Sequence, residues 1–124
     1  MFGKLEITAM AQSMAAHAGD RMSLIARNVA NADTPGYRAL DLPDFAQVYE
    51  GGGLLMRATR PGHLGADSSA PALAFATTDQ ASPNGNSVSV EAEMVKAAGA
   101  RQEHEMALAI YRSTSGIIRA SLGR

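Results

Sequence analysis

The chain contains no cysteine and no tryptophan, and its aromatic side chains are limited to three Tyr and three Phe in 124 residues. The absence of Cys excludes a disulfide scaffold and a thiol nucleophile. The apolar content depends instead on Ala and Met, which bury little area each or pack adaptably. With so thin a core, and with neither disulfides nor a metal-ligand cluster to supplement it, the composition predicts oligomerisation.

Strong net charge and long apolar runs are also lacking. The formal net charge is −1 at pH 7, which gives no attraction to nucleic acid or to an anionic membrane. Lys4 precedes an apolar-leaning run, but Glu6, Thr8 and other polar residues interrupt it. A signal peptide needs about 7–15 uninterrupted apolar residues and a membrane span about 20. We therefore expect no cleaved signal peptide and no direct membrane insertion.

The residues that usually carry catalysis do not form a recognisable pattern. The three histidines are His17, His63 and His104. Glu103 and Glu105 flank His104, but a zinc-binding helix needs a second His one turn further, where this chain has Leu108. A triple Gly at 51–53 is not followed by the Lys-Ser/Thr of a phosphate loop, and no Gly-x-Ser-x-Gly elbow occurs. The sequence predicts no enzyme, no cofactor and no small-molecule substrate.

Residues 5–29 have the apolar period of a helix. Apolar side chains recur at alternating steps of three and four, which places them on one stripe. The stripe consists of Ile7, Ala11, Met14, Ala18, Met22, Ile25 and Val29. We predict a long amphipathic helix within residues 1–33, with Met14, Met22 and Ile25 as helix-packing residues.

The helix is brought to a stop by Thr34, Pro35, Gly36 and Tyr37. Pro35 lacks an N–H and disfavours the α region for the preceding residue, and Gly36 suits the positive φ of a type II turn. Asn28 and Asn31 lie on one face of the last helical turn. Their amides have two possible roles, as a plain helix cap or as hydrogen-bonding groups toward a neighbouring chain.

Residues 34–86 are predicted to form a turn followed by a flexible middle that is irregular or partly β. Residues 38–45 alternate loosely and include Pro43, which suggests extended chain or a short edge strand leading into residues 45–49. From the triple Gly onward, Gly, Pro, Ser and Asp dominate. Residues 54–56 and 73–75 are the apolar clusters that could fix this middle to a surface.

A second long helix is predicted within residues 87–124. Ser89 is a plausible N-cap, and Glu91 and Glu93 in the first turn complement the helix dipole. Two apolar stripes follow, which implies two packing partners. One stripe consists of Met106, Ile110 and Ile117, and the other of Leu108, Tyr111, Ile118 and Leu122. The predicted fold is mainly α, a single domain over residues 1–124 whose two terminal amphipathic helices pair as a hairpin or coiled coil.

Three segments resemble a known family. Residues 28–31 followed by 34–37 resemble the N-terminal signature of bacterial flagellar basal-body rod proteins, the family that also includes the hook protein. Residues 56–64 are similar to the mid-chain element of its proximal rod subunits, and residues 86–94 to the start of the family's C-terminal helix. Ala92 departs from the pattern, because the family often has an acidic residue there that would complete a capping box with Ser89.

The resemblance implies a structural function. A rod subunit of this type would pack its terminal helices on those of neighbours to build the hollow drive shaft of the flagellum in the periplasm, after export through the flagellar type III apparatus. Its partners would be other rod proteins, further copies of itself, the membrane-ring adaptor protein and the export gate. Two alternatives remain at this point: another short rod subunit of the same family, and a soluble helical-hairpin chaperone or regulator.

Overall fold

The computed structural model describes residues 2–52 and 73–123. Two long helices dominate it, with short elements between them. In chain order the elements are helix α1 (Phe2–Ala30), strand β1 (Leu40–Asp41), helix α2 (Phe45–Gly52), strand β2 (Phe75–Ala76) and helix α3 (Val90–Ser121). The predicted fold class, two long terminal helices joined by an irregular and partly β middle, is confirmed.

Helices α1 and α3 form an antiparallel hairpin. Asn28, near the end of α1, donates a hydrogen bond to Glu93 at the start of α3. Arg21, two turns earlier in α1, lies 3.9 Å from the carboxylate of Glu103, which is later in α3. The residue numbers therefore run in opposite directions along the two helices, as the predicted hairpin requires.

The seam between the two helices is built mostly from small residues at intervals of seven. Seven residues make two helical turns, so such residues stay on one side of a helix. The buried positions are Ala11, Ala18 and Ile25 of α1 and Glu93, Ala100, Ala107 and Thr114 of α3. Alanine lets two helix axes approach closely but buries little area per residue. The seam is therefore tight and contains few large apolar side chains.

The arm, which we define as residues 31–52, packs on one side of the hairpin. Its strand β1 pairs antiparallel with β2, with Leu40 opposite Ala76. The Nε2–H of His17 donates to the carbonyl of Pro43 at 2.8 Å, and its ring lies 5.7 Å from that of Phe45. His17 is a buried packing residue in α1.

Two features of the middle differ from the sequence expectations. Helix α2 was not predicted, because a run of eight residues is too short to display a helical period clearly. In the predicted apolar cluster at residues 73–75, Leu73 is 86% and Phe75 49% exposed, although Phe75 lies in β2 and pairs with Asp41 of β1. Residues 54–56 lie outside the described part of the chain.

Among the described residues, no helix is both long enough and apolar enough to cross a bilayer.

Candidate assembly site

The turn after α1 has the geometry that its residues predict. The N–H of Tyr37 donates to the carbonyl of Thr34 at 3.3 Å. Gly36 has a φ of +75°, in the region that L side chains rarely adopt. Pro35 and Thr34 are exposed, so the turn itself is displayed at the surface.

Asn28 is fully buried and holds the arm against the hairpin. Its Nδ2 donates to the carbonyl of Leu40 at 2.8 Å and to Oε2 of Glu93 at 3.1 Å. Its Oδ1 accepts from the Leu40 N–H at 3.1 Å and the Tyr37 hydroxyl at 3.2 Å. These four bonds use the whole capacity of the amide. Within this chain the amide therefore binds the arm and Glu93 and does not cap α1. Its contact with a neighbouring chain stays a prediction.

Asn31 has the capping role. Its Nδ2 donates at 2.9 Å to the carbonyl of Arg27 in the last turn of α1, which also accepts from the Asn31 N–H at 3.2 Å. Its Oδ1 accepts from the Thr34 hydroxyl at 3.2 Å, which connects the cap to the turn. The two asparagines therefore have different roles. Asn31 caps the end of α1, and Asn28 makes buried hydrogen bonds to the arm and to α3.

Asn86, from the loop before α3, closes the end of α1 from the other side. Its Nδ2 lies 2.8–2.9 Å from three carbonyl oxygens, those of Asn31, Ala32 and Thr34. An amide has two N–H donors, so one of them is shared between two carbonyls. The side chain is buried, and its Oδ1 accepts from the N–H of Val88.

Main-chain hydrogen bonds also join the loop before α3 to the first residues of the arm. The Gly36 N–H donates to the Asn84 carbonyl at 3.0 Å, and the Ser87 N–H to the Tyr37 carbonyl at 3.0 Å. The Ser87 hydroxyl then accepts from the Ala39 N–H at 2.9 Å. We call the set formed by Asn28, Asn31, Tyr37, Asn86, Ser87 and Glu93 the polar clasp.

A chain of charged side chains extends the polar clasp across the hairpin. Asp41 of the arm is bound by Arg21 of α1 at 3.1 Å and lies 3.8 Å from Lys96 of α3. Lys96 also lies 3.3 Å from Glu93, whose carboxylate is buried. Because the buried carboxylate receives both an ammonium and an amide N–H, its charge is compensated. These contacts join both helices and the arm at one end of the molecule.

Sequence reasoning identified part of this site. Ser89 is the N-cap of α3 as predicted, with its hydroxyl accepting from the Ala92 N–H at 3.4 Å. Glu93 was assigned to the helix dipole, but its side chain instead faces the seam. Asn86 and Glu93 both lie in the segment that resembles the start of the family's C-terminal helix, and that resemblance was the available signal for them.

The proposed helix-packing residues divide between the interior and the surface. Ile25 is buried in the seam, and Met14, Met22 and Ile110 are partly buried. Met106, Ile117 and Leu122 are 48%, 50% and 64% exposed. The first group is thus at least partly covered within the single chain, whereas Met106 and Ile117 lie on the surface of α3 and Leu122 at its C-cap.

The described residues contain no group of three or more His, Asp or Glu side chains arranged to hold a metal ion. The contacts of the site are hydrogen bonds and ion pairs. Its chemistry is suited to fixing the relative position of three segments.

Known proteins similar to this chain carry one name. The chain is 35% identical over 105 residues to "Flagellar basal body rod protein FlgB" of Salmonella typhimurium, an alignment covering 75% of each protein. It is 34% identical over 102 residues to the Escherichia coli protein of that name, covering 71% of this chain and 72% of the relative. The Yersinia ruckeri protein is 32% identical over 84 residues, covering 59% and 61%. No protein-family model matches the chain. On the similarity to the Salmonella and Escherichia proteins, the chain belongs to the FlgB family of flagellar basal body rod proteins.

Proposed function

We propose that the chain is a structural subunit of the proximal rod, in which its hairpin packs on the hairpins of neighbouring subunits to form the hollow drive shaft. The rod would lie in the periplasm and serve motility. The observation that carries this proposal, beside the family, is the exposure of apolar side chains at the free end of the hairpin, opposite the polar clasp.

Ile7 and Ile117 are the clearest members of that exposed set. Ile7 lies four residues before Ala11 and Ile117 three residues after Thr114, so both are on the seam side of their helices. The antiparallel register places them at about the same level of the hairpin. They nevertheless remain 43% and 50% exposed. Leu122, one turn beyond Ile117, is also exposed. Apolar residues that continue a packed seam into solvent are typical of a surface that another chain covers.

The partners in this proposal are other flagellar rod proteins and further copies of the chain. The membrane-ring adaptor protein at the base of the rod and the flagellar export gate are further proposed partners. Residues 1–124 act as one domain, with the motif residues Asn28, Asn31, Thr34, Pro35, Gly36 and Tyr37 shaping the subunit for assembly. The proposal assigns the chain no catalytic role and no cofactor.

Two variants of α3 test the assembly surface. Ile117→Asp and Leu122→Asp each place a carboxylate where the proposal buries an apolar side chain between subunits. Both residues are exposed in the single chain, so its fold should be retained. Ala109→Asp is the matched control, because Ala109 is also exposed on α3 but belongs to neither apolar stripe.

The measurement is motility and isolation of basal bodies in a strain whose own copy of the gene is deleted. The unmodified chain and Ala109→Asp should restore swimming and co-purify with basal bodies, and the two other variants should do neither. Normal swimming with both Ile117→Asp and Leu122→Asp would refute the proposed surface. Failure of the unmodified chain to enter basal bodies would refute the proposed function and favour the chaperone alternative.

A further inference from the structure

Asn84 and Gly85 form the one Asn-Gly pair in the chain. They lie in the loop before α3, where Asn84 is exposed to water. In such a pair the main-chain nitrogen of the glycine can attack the side-chain amide carbon of the asparagine, because glycine has no Cβ to obstruct the approach. The other asparagines, Asn28, Asn31 and Asn86, precede Val, Ala and Ser, whose side chains do obstruct it.

The reaction at Asn84 needs only water as a co-reactant. The Gly85 nitrogen forms a bond to Cγ of Asn84, the bond from Cγ to Nδ2 breaks, and Nδ2 takes up the Gly85 proton and leaves as ammonia. The product is a succinimide ring. Water then adds to one of the two ring carbonyl carbons and opens the ring, which gives either aspartate or isoaspartate at residue 84. In isoaspartate the main chain runs through Cβ and Cγ and is longer by one methylene.

Residues 82–85 form a turn that keeps this ring from closing. The Gly85 N–H donates to the Ser82 carbonyl at 2.8 Å, and Pro83 suits the second position of a type I or type II turn. No described residue other than glycine has positive φ, which excludes type II. The third residue of a type I turn, here Asn84, has a ψ of about 0°. The Gly85 nitrogen then eclipses the Asn84 nitrogen, whereas the ring requires it to eclipse Cβ.

The loop also holds the polar groups of Asn84 in hydrogen bonds that the reaction would break. Oδ1 of Asn84 accepts from the Asn86 N–H at 3.0 Å, and the Asn84 carbonyl accepts from the Gly36 N–H at 3.0 Å. The Ser82 N–H donates to the Asn86 carbonyl at 2.8 Å, which closes the loop on itself. The Asn86 side chain is in turn bound to three carbonyl oxygens at the end of α1. Ring closure at Asn84 therefore requires the loop to leave the end of α1.

We propose that Asn84 is a modification site, protected while the polar clasp is closed and converted by water to isoaspartate when the clasp opens. The isoaspartyl product then keeps the clasp open. Its extra methylene displaces the acceptor of the Gly36 N–H, and the Oδ1 acceptor of the Asn86 N–H becomes part of the main chain. A chain that has opened for long is thus marked covalently. This inference goes beyond the proposed function, because it depends on the loop of a single chain and on no partner.

The rate of deamidation at Asn84 tests the protection. The unmodified chain is kept at neutral pH both in buffer and in guanidinium chloride, and mass spectrometry of the digested chain follows the loss of the side-chain amide. The folded chain should react at least about ten-fold more slowly than the unfolded chain, because only its open fraction reacts. Asn84→Gln should not react at this position in either solution, since glutamine must form a larger ring.

Two variants distinguish opening of the loop from unfolding of the whole chain. Asn86→Ala removes the bonds to the end of α1 and should raise the rate in buffer at least about five-fold. Ala107→Leu is the control, because it disturbs the packing of the two helices and leaves every hydrogen bond of the loop in place. Its rate at Asn84 should stay within about two-fold of that of the unmodified chain. Circular dichroism verifies that both variants are folded.

The products test whether isoaspartate keeps the clasp open. The unmodified chain is aged in guanidinium chloride and refolded, and chromatography separates its aspartyl and isoaspartyl forms. Hydrogen exchange at the N–H groups of Gly36 and Ser87 should be as slow in the aspartyl form as in the unmodified chain. In the isoaspartyl form it should be at least about ten-fold faster.

Three outcomes would overturn the proposal. The first is an equal rate of deamidation in the folded and the unfolded chain, and the second is equal acceleration by Asn86→Ala and Ala107→Leu. The third is an isoaspartyl chain that protects the Gly36 and Ser87 N–H groups as well as the unmodified chain does. None of them bears on the rod function, which basal-body isolation tests separately.

Discussion

The side-chain amide of Asn28 donates a 3.1 Å hydrogen bond to the carboxylate of Glu93, and both side chains are buried although 65 residues separate them in the sequence. This contact joins the end of α1 to the beginning of α3. The same amide also binds both main-chain polar groups of Leu40. One residue therefore fixes the helix pair and the arm at once.

Replacing Asn28 by Ala should destabilise the isolated chain by about 2–4 kcal/mol, because it leaves buried donors and acceptors without partners. The measurement is the midpoint of urea unfolding. Asn31→Ala is the control, since Asn31 makes local bonds near the surface and its loss should cost about 0.5–1 kcal/mol. Equal effects of the two substitutions would contradict the central position assigned to Asn28.

Replacing Asn86 by Asp should release the loop from the end of α1. The change preserves shape but substitutes an acceptor for the amide that donates to three carbonyls, so the oxygens would repel one another. We expect a loss of about 2–4 kcal/mol and faster hydrogen exchange at the N–H groups of Gly36 and Ser87. Neighbouring Asn84 provides the control, because it accepts through Oδ1 from the Asn86 N–H and an Asp carboxylate can do the same. If Asn84→Asp is as harmful as Asn86→Asp, a donor role for Asn86 is not the cause.

The helices were predictable from sequence because the signals that identify each one lie in residues close together along the chain. A three-and-four apolar period identifies α1, and Ser89 with acidic residues after it identifies the start of α3. The turn at Pro35 and Gly36 was predictable for the same reason, since each residue restricts its own dihedral angles or those of a neighbour.

The polar clasp could not be predicted in this way. Asn86 meets its carbonyl partners 52–55 residues away in sequence, and no periodic pattern encodes such a pairing. The apolar stripe of α1 likewise does not show which of its residues pack against α3. Ala11 and Ala18 take the seam, while Ile7 and Val29 stay exposed. That choice follows from how closely the two helix axes approach, which depends on both helices together.

Two glycines should respond differently to the same substitution. Gly36 and Gly85 both have positive φ, +75° and +84°. Gly36→Ala should cost about 1–2 kcal/mol from backbone strain alone, because a Cβ there meets nothing within 4 Å. A Cβ at Gly85 would lie 3.3 Å from the Cα of Gly36, so Gly85→Ala adds a steric cost to the same strain. The melting temperature of Gly85→Ala should therefore be lower than that of Gly36→Ala. The reverse order would contradict the close approach of the two backbones.

The small residues of the seam set the spacing of the hairpin, and enlarging one tests that spacing. Ala107 is fully buried between α1 and α3. Ala107→Leu should therefore force the helices apart and cost about 1–3 kcal/mol, although leucine is more hydrophobic. Ala109→Leu is the matched control, because Ala109 is exposed on the same helix and the change there should stay within about 0.5 kcal/mol. Urea unfolding gives both values. If Ala107→Leu stabilised the chain, the seam would have room for a larger side chain, and close contact between α1 and α3 would not be what selects alanine there.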